Sequence, residues 1–312
     1  MISQHINNNR NSPKVLVENK VTFAGPESEL SIYDTYEQAE RVQLKSDQLL
    51  FCAMVTGKKV MHSDDEHFNS EFLPHESFVM TPESTVEIDF PIAQLAKPTT
   101  CLAIEISTDR IKQVATSLNE STPINQDFGH WHYNNQLVHT HHNSQTQDLL
   151  NRIVQMYGEN HQDRSAMISL AVSELTIRLL RHQTRDFMLS FCQQQPDKSG
   201  LTAAVSYIEE NLAESLDIDV LARIACMGRT KFFNEFRIHF ACSPLVFQQQ
   251  LRLKKAAALI KQGQQITQTC FELGFNNASH FSRCFKIFYG LTPRQYKLRH
   301  QINYITKENS FL

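Results

Sequence analysis

Residues Met227–Phe247 read MGRTKFFNEFRIHFACSPLVF, and residues Asn276–Tyr296 read NNASHFSRCFKIFYGLTPRQY. Displaced by 49 positions, the two segments align without a gap. Phe232 falls on Phe281, Phe236 on Phe285, Arg237 on Lys286, Ile238 on Ile287, Phe240 on Tyr289, and Phe247 on Tyr296. Ser243-Pro244 falls on Thr292-Pro293. In each copy the aromatic residues recur every four positions, the spacing that gathers them on one side of a helix. Basic and small polar residues take the other side. A doubled helical unit with this chemistry predicts two DNA-reading helices held at a fixed distance.

Each copy predicts a support helix, a turn and a reading helix. In the first, Leu216–Ala225 supports, Met227-Gly228 turns and Arg229–His239 reads. Phe232, Phe236 and Phe240 face inward, and Thr230, Lys231, Phe233, Asn234 and Arg237 face outward. In the second, Ile266–Leu273 supports, and Gly274-Phe275 turns, glycine tolerating a left-handed backbone. Ala278–Phe288 then reads, with Phe281, Phe285 and Phe288 inward and Ser279, His280, Ser282, Arg283 and Lys286 outward. A helix fits the major groove, where Arg pairs with guanine and Asn with adenine. Asn234 and Arg283 occupy corresponding positions and are the candidates for base readout. Arg237 and Lys286 correspond one turn later and suit phosphate, and Arg229 opens the first reading helix beside them. Between the copies, Ser243–Gln262 predicts a linker helix with Pro244 in its first turn. At about 1.5 Å per residue it spans roughly 30 Å, near the roughly 34 Å between successive major-groove faces. Arg252, Lys254 and Lys255 lie mid-helix, placed to touch the intervening backbone.

Charge separates the chain into two parts. Residues 198–312 carry 15 Lys+Arg against 8 Asp+Glu, and residues 1–197 carry 15 against 25. Arg223–Arg299 holds 13 basic residues and only Glu235 and Glu272 as acids. A basic domain beside an acidic one is the electrostatic footprint of a nucleic-acid binder joined to something else. The 312 residues suffice for two cores. Seven cysteines without a C-x-x-C pair fit reduced thiols in a cytoplasmic protein. The opening MISQHINNNRNSPK lacks the apolar core of a secretory signal, and no apolar run reaches the roughly 18 residues needed to span a bilayer.

The N-terminal part predicts a different architecture. Residues 1–14 read as a disordered tail. From 15 to 107, short β-type runs (Leu30–Tyr36, Leu49–Val55, Lys59–His62, Glu76–Met80, Val86–Phe90, Thr100–Ile106) alternate with Gly and Pro punctuation, predicting a small antiparallel sandwich or barrel. Residues 108–192 turn helical. Asp109–Leu118 opens the region and a polar loop runs from Asn119 to Asn143. Gln147–Tyr157 and Ala166–Leu180 then carry apolar residues at helical spacing. The second of these is apolar around more than half its circumference, so it is either sandwiched between elements or a dimer seam. Residues 193–200 (QQQPDKSG) read as a linker, 201–300 as the basic helical domain and 301–312 as a tail.

The stretch GFNNASHFSRCFKIFYGLTPRQY, with its GF turn, Ser-x-Phe, Arg-x-Phe-Lys and Gly-x-x-Pro-x-x-Tyr, resembles the signature of AraC/XylS-family transcription regulators. The likeness covers residues 201–299, about a third of the chain. The first copy departs from it, with Phe233-Asn234 where many members carry a polar residue and Arg, and Ala241 where Gly is usual. More weakly, the N-terminal part is similar to the N-terminal domain of one AraC subgroup. The resemblance implies an α+β protein, with an N-terminal cupin-like antiparallel β-barrel followed by helices, and a C-terminal all-α domain of two helix-turn-helix units joined by a linker helix. It further implies promoter DNA and RNA polymerase as partners, a homodimer, activation of transcription, and control by a small effector or by dimerisation.

In that N-terminal domain Phe51, Met54, Val60, Phe78, Met80, Ile88 and Phe90 are candidates to line an effector cup, or equally to form the core. His130, His132, His139, His141 and His142 crowd into 13 residues. The sharp alternative is a metal sensor, or a cupin-type metalloenzyme fused to a DNA-binding domain. No carboxylate or cysteine completes a ligand spacing there, and His62 and His67 are too far apart for a cupin pair. No Gly-rich phosphate loop or nucleophile elbow occurs. The reading is therefore a non-enzyme with no metal and no cofactor.

Overall fold

The computed structural model describes residues 13–62, 69–124, 130–131, 138–142, 144–194, 200–240 and 242–308. Most of the expected N-terminal tail and of the 193–200 linker lies outside the described residues. The chain divides into two compact units, one of residues 1–121 with 131–180, the other of residues 122–130 with 181–312.

Among its described residues the first unit is built on ten strands. They are β1 (Asn19–Gly25), β2 (Ser28–Thr35), β3 (Ala39–Lys45), β4 (Leu49–Thr56), β5 (Lys59–His62), β6 (Asn69–Phe72), β7 (Glu76–Met80), β8 (Thr85–Phe90), β9 (Thr99–Ile106) and β10 (Val138–His141). They form two antiparallel sheets, β1-β2-β9-β4-β7-β10 and β3-β8-β5-β6. The expected closed barrel is thus two open sheets. At Gly57 the chain leaves β4 and enters β5, which pairs with β6 and β8 instead of folding back on β4. Gly57 has φ +86°, and a Cβ there would lie 2.4 Å from Thr99 Oγ1, so only glycine makes this crossing.

One core fills the space between the sheets. Leu50, Cys52, Met54, Phe78, Met80, Cys101 and Ala103 meet Met61, Phe72, Val86, Ile88 and Phe90 there. Strand parity sorts the seven cup candidates. Met54, Phe78, Met80, Ile88 and Phe90 share this core. Phe51 has the opposite parity from Leu50 and Cys52, and stacks on His142 at 6.4 Å. Val60 is only half-buried, and its neighbour Met61 takes the inward place. The cup reading is therefore corrected at those two positions. Beside Met61, Lys59 is almost wholly buried. Its ammonium donates to Glu18 Oε1 at 3.1 Å and to Cys101 Sγ at 3.0 Å, over the Phe90 ring.

Among the described residues three helices complete this part: α1 (Thr108–Ser121), α2 (Ser144–Gly158) and α3 (Arg164–Gln194), whose residues 164–180 belong to this unit. Arg110 of α1 binds Ser169 Oγ at 2.7 Å and Ser173 Oγ at 3.1 Å on α3, and Glu27 at 2.8 Å. The apolar stripe of α2 (Leu149, Leu150, Ile153, Val154, Tyr157) is buried in the unit, as are Ile168, Val172, Leu175 and Leu180 of α3. Met167 and Leu170 of α3 face outward. Three boundaries differ from the sequence reading. β10 lies inside the expected loop, since VHTH is too polar and short to register as a strand. α3 runs through Gln194, past the expected start of the linker, because nothing before Pro196 breaks a helix. The last helix covers much of the expected C-terminal tail.

The second unit holds α4 (Gly200–Glu210), α5 (Ile218–Ile224), α6 (Arg229–Phe240), α7 (Pro244–Lys261), α8 (Ile266–Glu272), α9 (Ala278–Tyr289) and α10 (Pro293–Glu308). The central helix α7 packs against α4, α6, α8, α9 and α10. Ser243 caps it, accepting from Val246 N–H. No described helix is long and apolar enough to cross a membrane.

Candidate nucleic-acid interface

The repeat is reproduced in three dimensions. Phe232 and Phe236 have ring centroids 5.6 Å apart, and Phe281 and Phe285 5.7 Å. Phe236–Phe240 and Phe285–Tyr289 are 4.6 and 4.7 Å. Phe236–Phe247 and Phe285–Tyr296 are 5.3 and 5.4 Å, both edge-on. Phe247 and Tyr296 belong to the helices that follow α6 and α9, so the repeating unit is three helices, α5-α6-α7 and α8-α9-α10. Tyr289, not Phe288, is the fully buried partner of Phe240, and Phe288 is half-buried.

The support helices are displaced by 48 positions, Ile218 to Ile266, while the reading helices are displaced by 49, Arg229 to Ala278. The second turn is therefore one residue longer. Both turns close alike: Met227 N–H bonds Ala222 O at 2.9 Å, and Phe275 N–H bonds Cys270 O at 3.1 Å. The left-handed residue is Gly274 in the second copy (φ +75°) but Cys226, not Gly228, in the first (φ +52°). The extra residue is Asn276, and it leaves Asn277 to cap α9 by accepting from His280 N–H at 2.6 Å. The equivalent of Asn277 is Gly228, which has no side chain to cap α6.

The outward faces follow from that frame. On α6, Arg229, Thr230, Lys231, Asn234 and Arg237 are exposed and Phe233 is half-buried. Arg229 is held beside Asp219 at 3.3 Å in an exposed pair. On α9, Ser279, Arg283 and Lys286 are exposed, while His280 and Ser282 are half-buried. His280 turns toward α7: its Nε2 lies 3.4 Å from Cys284 Sγ, which accepts from Gln249 Nε2 at 3.3 Å. A groove of about 350 Å³ runs there, with Leu245, Gln249, Arg252, Asn276 and His280 among its walls. A second, of about 400 Å³, opens among Asn277, Ser279, His280 and Arg283. The sequence reading missed Asn277 and Gln249. An Asn just before a helix is a recognisable cap signal, whereas Gln249 carries no signal at all.

Arg252 departs from its expected role. Its Nε donates to Leu212 O at 2.6 Å, Nη2 to Glu214 O at 2.7 Å and Nη1 to Gly274 O at 3.0 Å. That guanidinium holds protein backbone, and Lys254 and Lys255 are exposed on the same helix. On α6, burial pulls the His239 imidazole below its ordinary pKa, against the carboxylate of Glu235 at 3.3 Å.

Of the histidines singled out in the sequence, His67 and His132 lie outside the described residues. His130 is exposed, and His142 is buried with its ring against Ser77 Oγ. His139 and His141 fall in β10. Among the described residues no group of three or more His, Cys, Asp or Glu is placed to hold a metal.

Comparison with known proteins gives this geometry a family. Residues 26–187 match the model of the AraC-type transcriptional regulator N-terminus, and residues 221–299 match a helix-turn-helix domain. The chain belongs to the AraC/XylS family of transcriptional regulators. A Haemophilus influenzae HTH-type transcriptional regulator is 30% identical over 48% of this chain and 51% of its own length. The activator RhaS of Escherichia coli is 22% identical over 60% of this chain and 65% of its own. The chain thus spans about half the length of the first of these relatives and just under two thirds of the second. Among solved structures, ToxT K231A of Vibrio cholerae is 11% identical, with TM-score 0.38 over 88% of this chain and 98% of that one.

Proposed function

We propose that the chain is a sequence-specific activator of transcription that lays α6 and α9 in successive major grooves of promoter DNA. The observation that carries this is the three-helix repeat, whose matching aromatic cores leave two polar, basic helix faces in the same register. Asn234 and Arg283 read bases there, and Lys231, Arg237 and Lys286 bind phosphate. The outward faces differ, with Thr230, Lys231 and Asn234 on one helix and Ser279, His280 and Arg283 on the other. One protomer therefore reads an asymmetric site.

In this reading the N-terminal unit is the sensor and works in the cytoplasm. Its two sheets form a cupin-like sandwich whose shared core, with Met54, Phe78, Met80, Ile88 and Phe90, is where a small effector enters. The outward face of α3 joins two protomers. An effector that prefers one arrangement of the dimer shifts how the reading helices meet DNA and RNA polymerase.

The test is selection of duplexes bound by the full chain, followed by titration of Arg283→Ala. The variant loses about 1–3 kcal/mol on the enriched sequence and relaxes preference at one base pair. Unchanged affinity and preference would remove α9 from the interface.

A further inference from the structure

Both reading helices carry an isoleucine on the water side. Ile238 is 42% exposed and Ile287 is 56% exposed. A single exposed apolar residue needs no explanation. These two, however, occupy the same position in the two copies of the repeat, each next to an exposed basic residue, Arg237 or Lys286. Each lies four residues beyond the base-reading candidate of its helix, Asn234 or Arg283, and so sits beside it on the same face. Each is only partly covered by its own domain, whose inward positions belong to Phe232, Phe236 and Phe240 in one copy and to Phe281, Phe285 and Tyr289 in the other.

The major-groove edge of DNA offers one apolar group, the C5-methyl of thymine. A β-branched side chain, stiff at χ1, presents a fixed apolar tip at little entropic cost. Four helical residues advance about 6 Å, close to two base-pair steps of roughly 3.4 Å each. The charge of the surroundings favours the same occupant, since Arg223–Arg299 holds 13 basic residues and 2 acidic ones. We infer that Ile238 and Ile287 are specificity-determining residues that read thymine methyl groups, each placing a required A·T pair about two steps from the pair contacted by Asn234 or Arg283. This inference rests on the DNA-reading assignment of α6 and α9.

The experiment uses the full chain and the duplex it enriches. Each thymine is replaced in turn by deoxyuridine, which lacks only the methyl, and affinity is followed by fluorescence anisotropy. For the wild type, one replacement in each half of the site weakens binding roughly fourfold, the worth of one buried methyl. Ile287→Ala becomes indifferent to the replacement in the Arg283 half and keeps its response in the other. Ile238→Ala shows the converse. The retained response in the opposite half reports that each variant is folded and bound in register. The inference is overturned if no replacement changes wild-type affinity by twofold, or if either alanine variant keeps its full response in its own half. Failure of the wild type to enrich any duplex would instead overturn the underlying DNA-reading assignment.

Discussion

Arg252 on the central helix donates from Nη1 to the carbonyl of Gly274, 3.0 Å away, at the turn of the second helix-turn-helix. The same guanidinium bonds Leu212 O and Glu214 O in the loop before α5, so one side chain fastens the first copy to the turn of the second. Gly274 permits the approach, since a Cβ there would fall 2.0 Å from Ala213 O. The planar fork is what serves three carbonyls at once; an ammonium is a point charge. Arg252→Lys should therefore lower the unfolding free energy of the C-terminal domain by about 2–3 kcal/mol, read from urea titration by circular dichroism. A value within about 0.5 kcal/mol of wild type, the range of inert surface changes, would show that the fork is dispensable. The salt dependence of DNA binding should keep its slope, because no phosphate contact is removed.

The one-residue difference between the two turns has an energetic consequence at the helix starts. Asn277 caps α9 through its side chain, and Asn277→Ala should cost about 1 kcal/mol. Gly228 starts α6 with open space where a Cβ would point and no positive φ. Gly228→Ser should then stabilise the first copy by a few tenths of a kcal/mol. Thermal melts of the two variants should move in opposite directions, and a fall for Gly228→Ser would contradict the assignment of residue 228 as the cap.

What the sequence disclosed and what it hid follow one physical rule. The aromatic period in Met227–Phe247 and Asn276–Tyr296 is set by helix geometry and by burial against a neighbouring helix, so it is written in adjacent residues. The two support helices, the two reading helices and the linker helix emerge within a few residues of where periodicity puts them, whereas α4 and α10 carry no such placement. The offset of 48 against 49 was invisible, because it depends on backbone closure at Cys226 and Gly274 and leaves no mark in side-chain type. In the N-terminal unit, β4 reads as a continuous apolar run since it is covered on both faces. Which face each residue takes is fixed only by pairing, and Phe51 takes the side opposite Leu50 and Cys52, against His142. The Arg252 contacts span 22 to 40 residues in sequence, and no local pattern encodes them.

The two sides of α3 separate assembly from folding. Leu175 is 1% exposed within a single protomer, whereas Leu170 is 74% exposed. If α3 joins protomers through its outward face, Leu170→Glu should convert dimers to monomers by light scattering while leaving the circular dichroism spectrum unchanged. Leu175→Glu should instead unfold the N-terminal unit, because a carboxylate would be buried without a partner. A wild type that is monomeric at micromolar concentration would remove the dimer proposal, and a dimeric Leu170→Glu would move the seam off this face.

Lys59 and Glu18 test how the N-terminal unit tolerates a charge in its core. Burial opposes the ammonium of Lys59, but Cys101 and Glu18 outweigh it and hold the pKa above the ordinary lysine value. Glu18 reaches it from a left-handed backbone, φ 51°, with its N–H fixed on Thr35 Oγ1 at 3.0 Å. Glu18→Gln would leave the ammonium without its carboxylate and should cost about 3–5 kcal/mol. Lys59→Met puts an apolar side chain of similar length against Phe90 and should cost less. Combined with Glu18→Gln it should recover most of the loss, since the uncompensated charge is then gone. Urea unfolding of the two single variants and the double variant closes the cycle. Strictly additive losses would mean that the two side chains do not act as a pair.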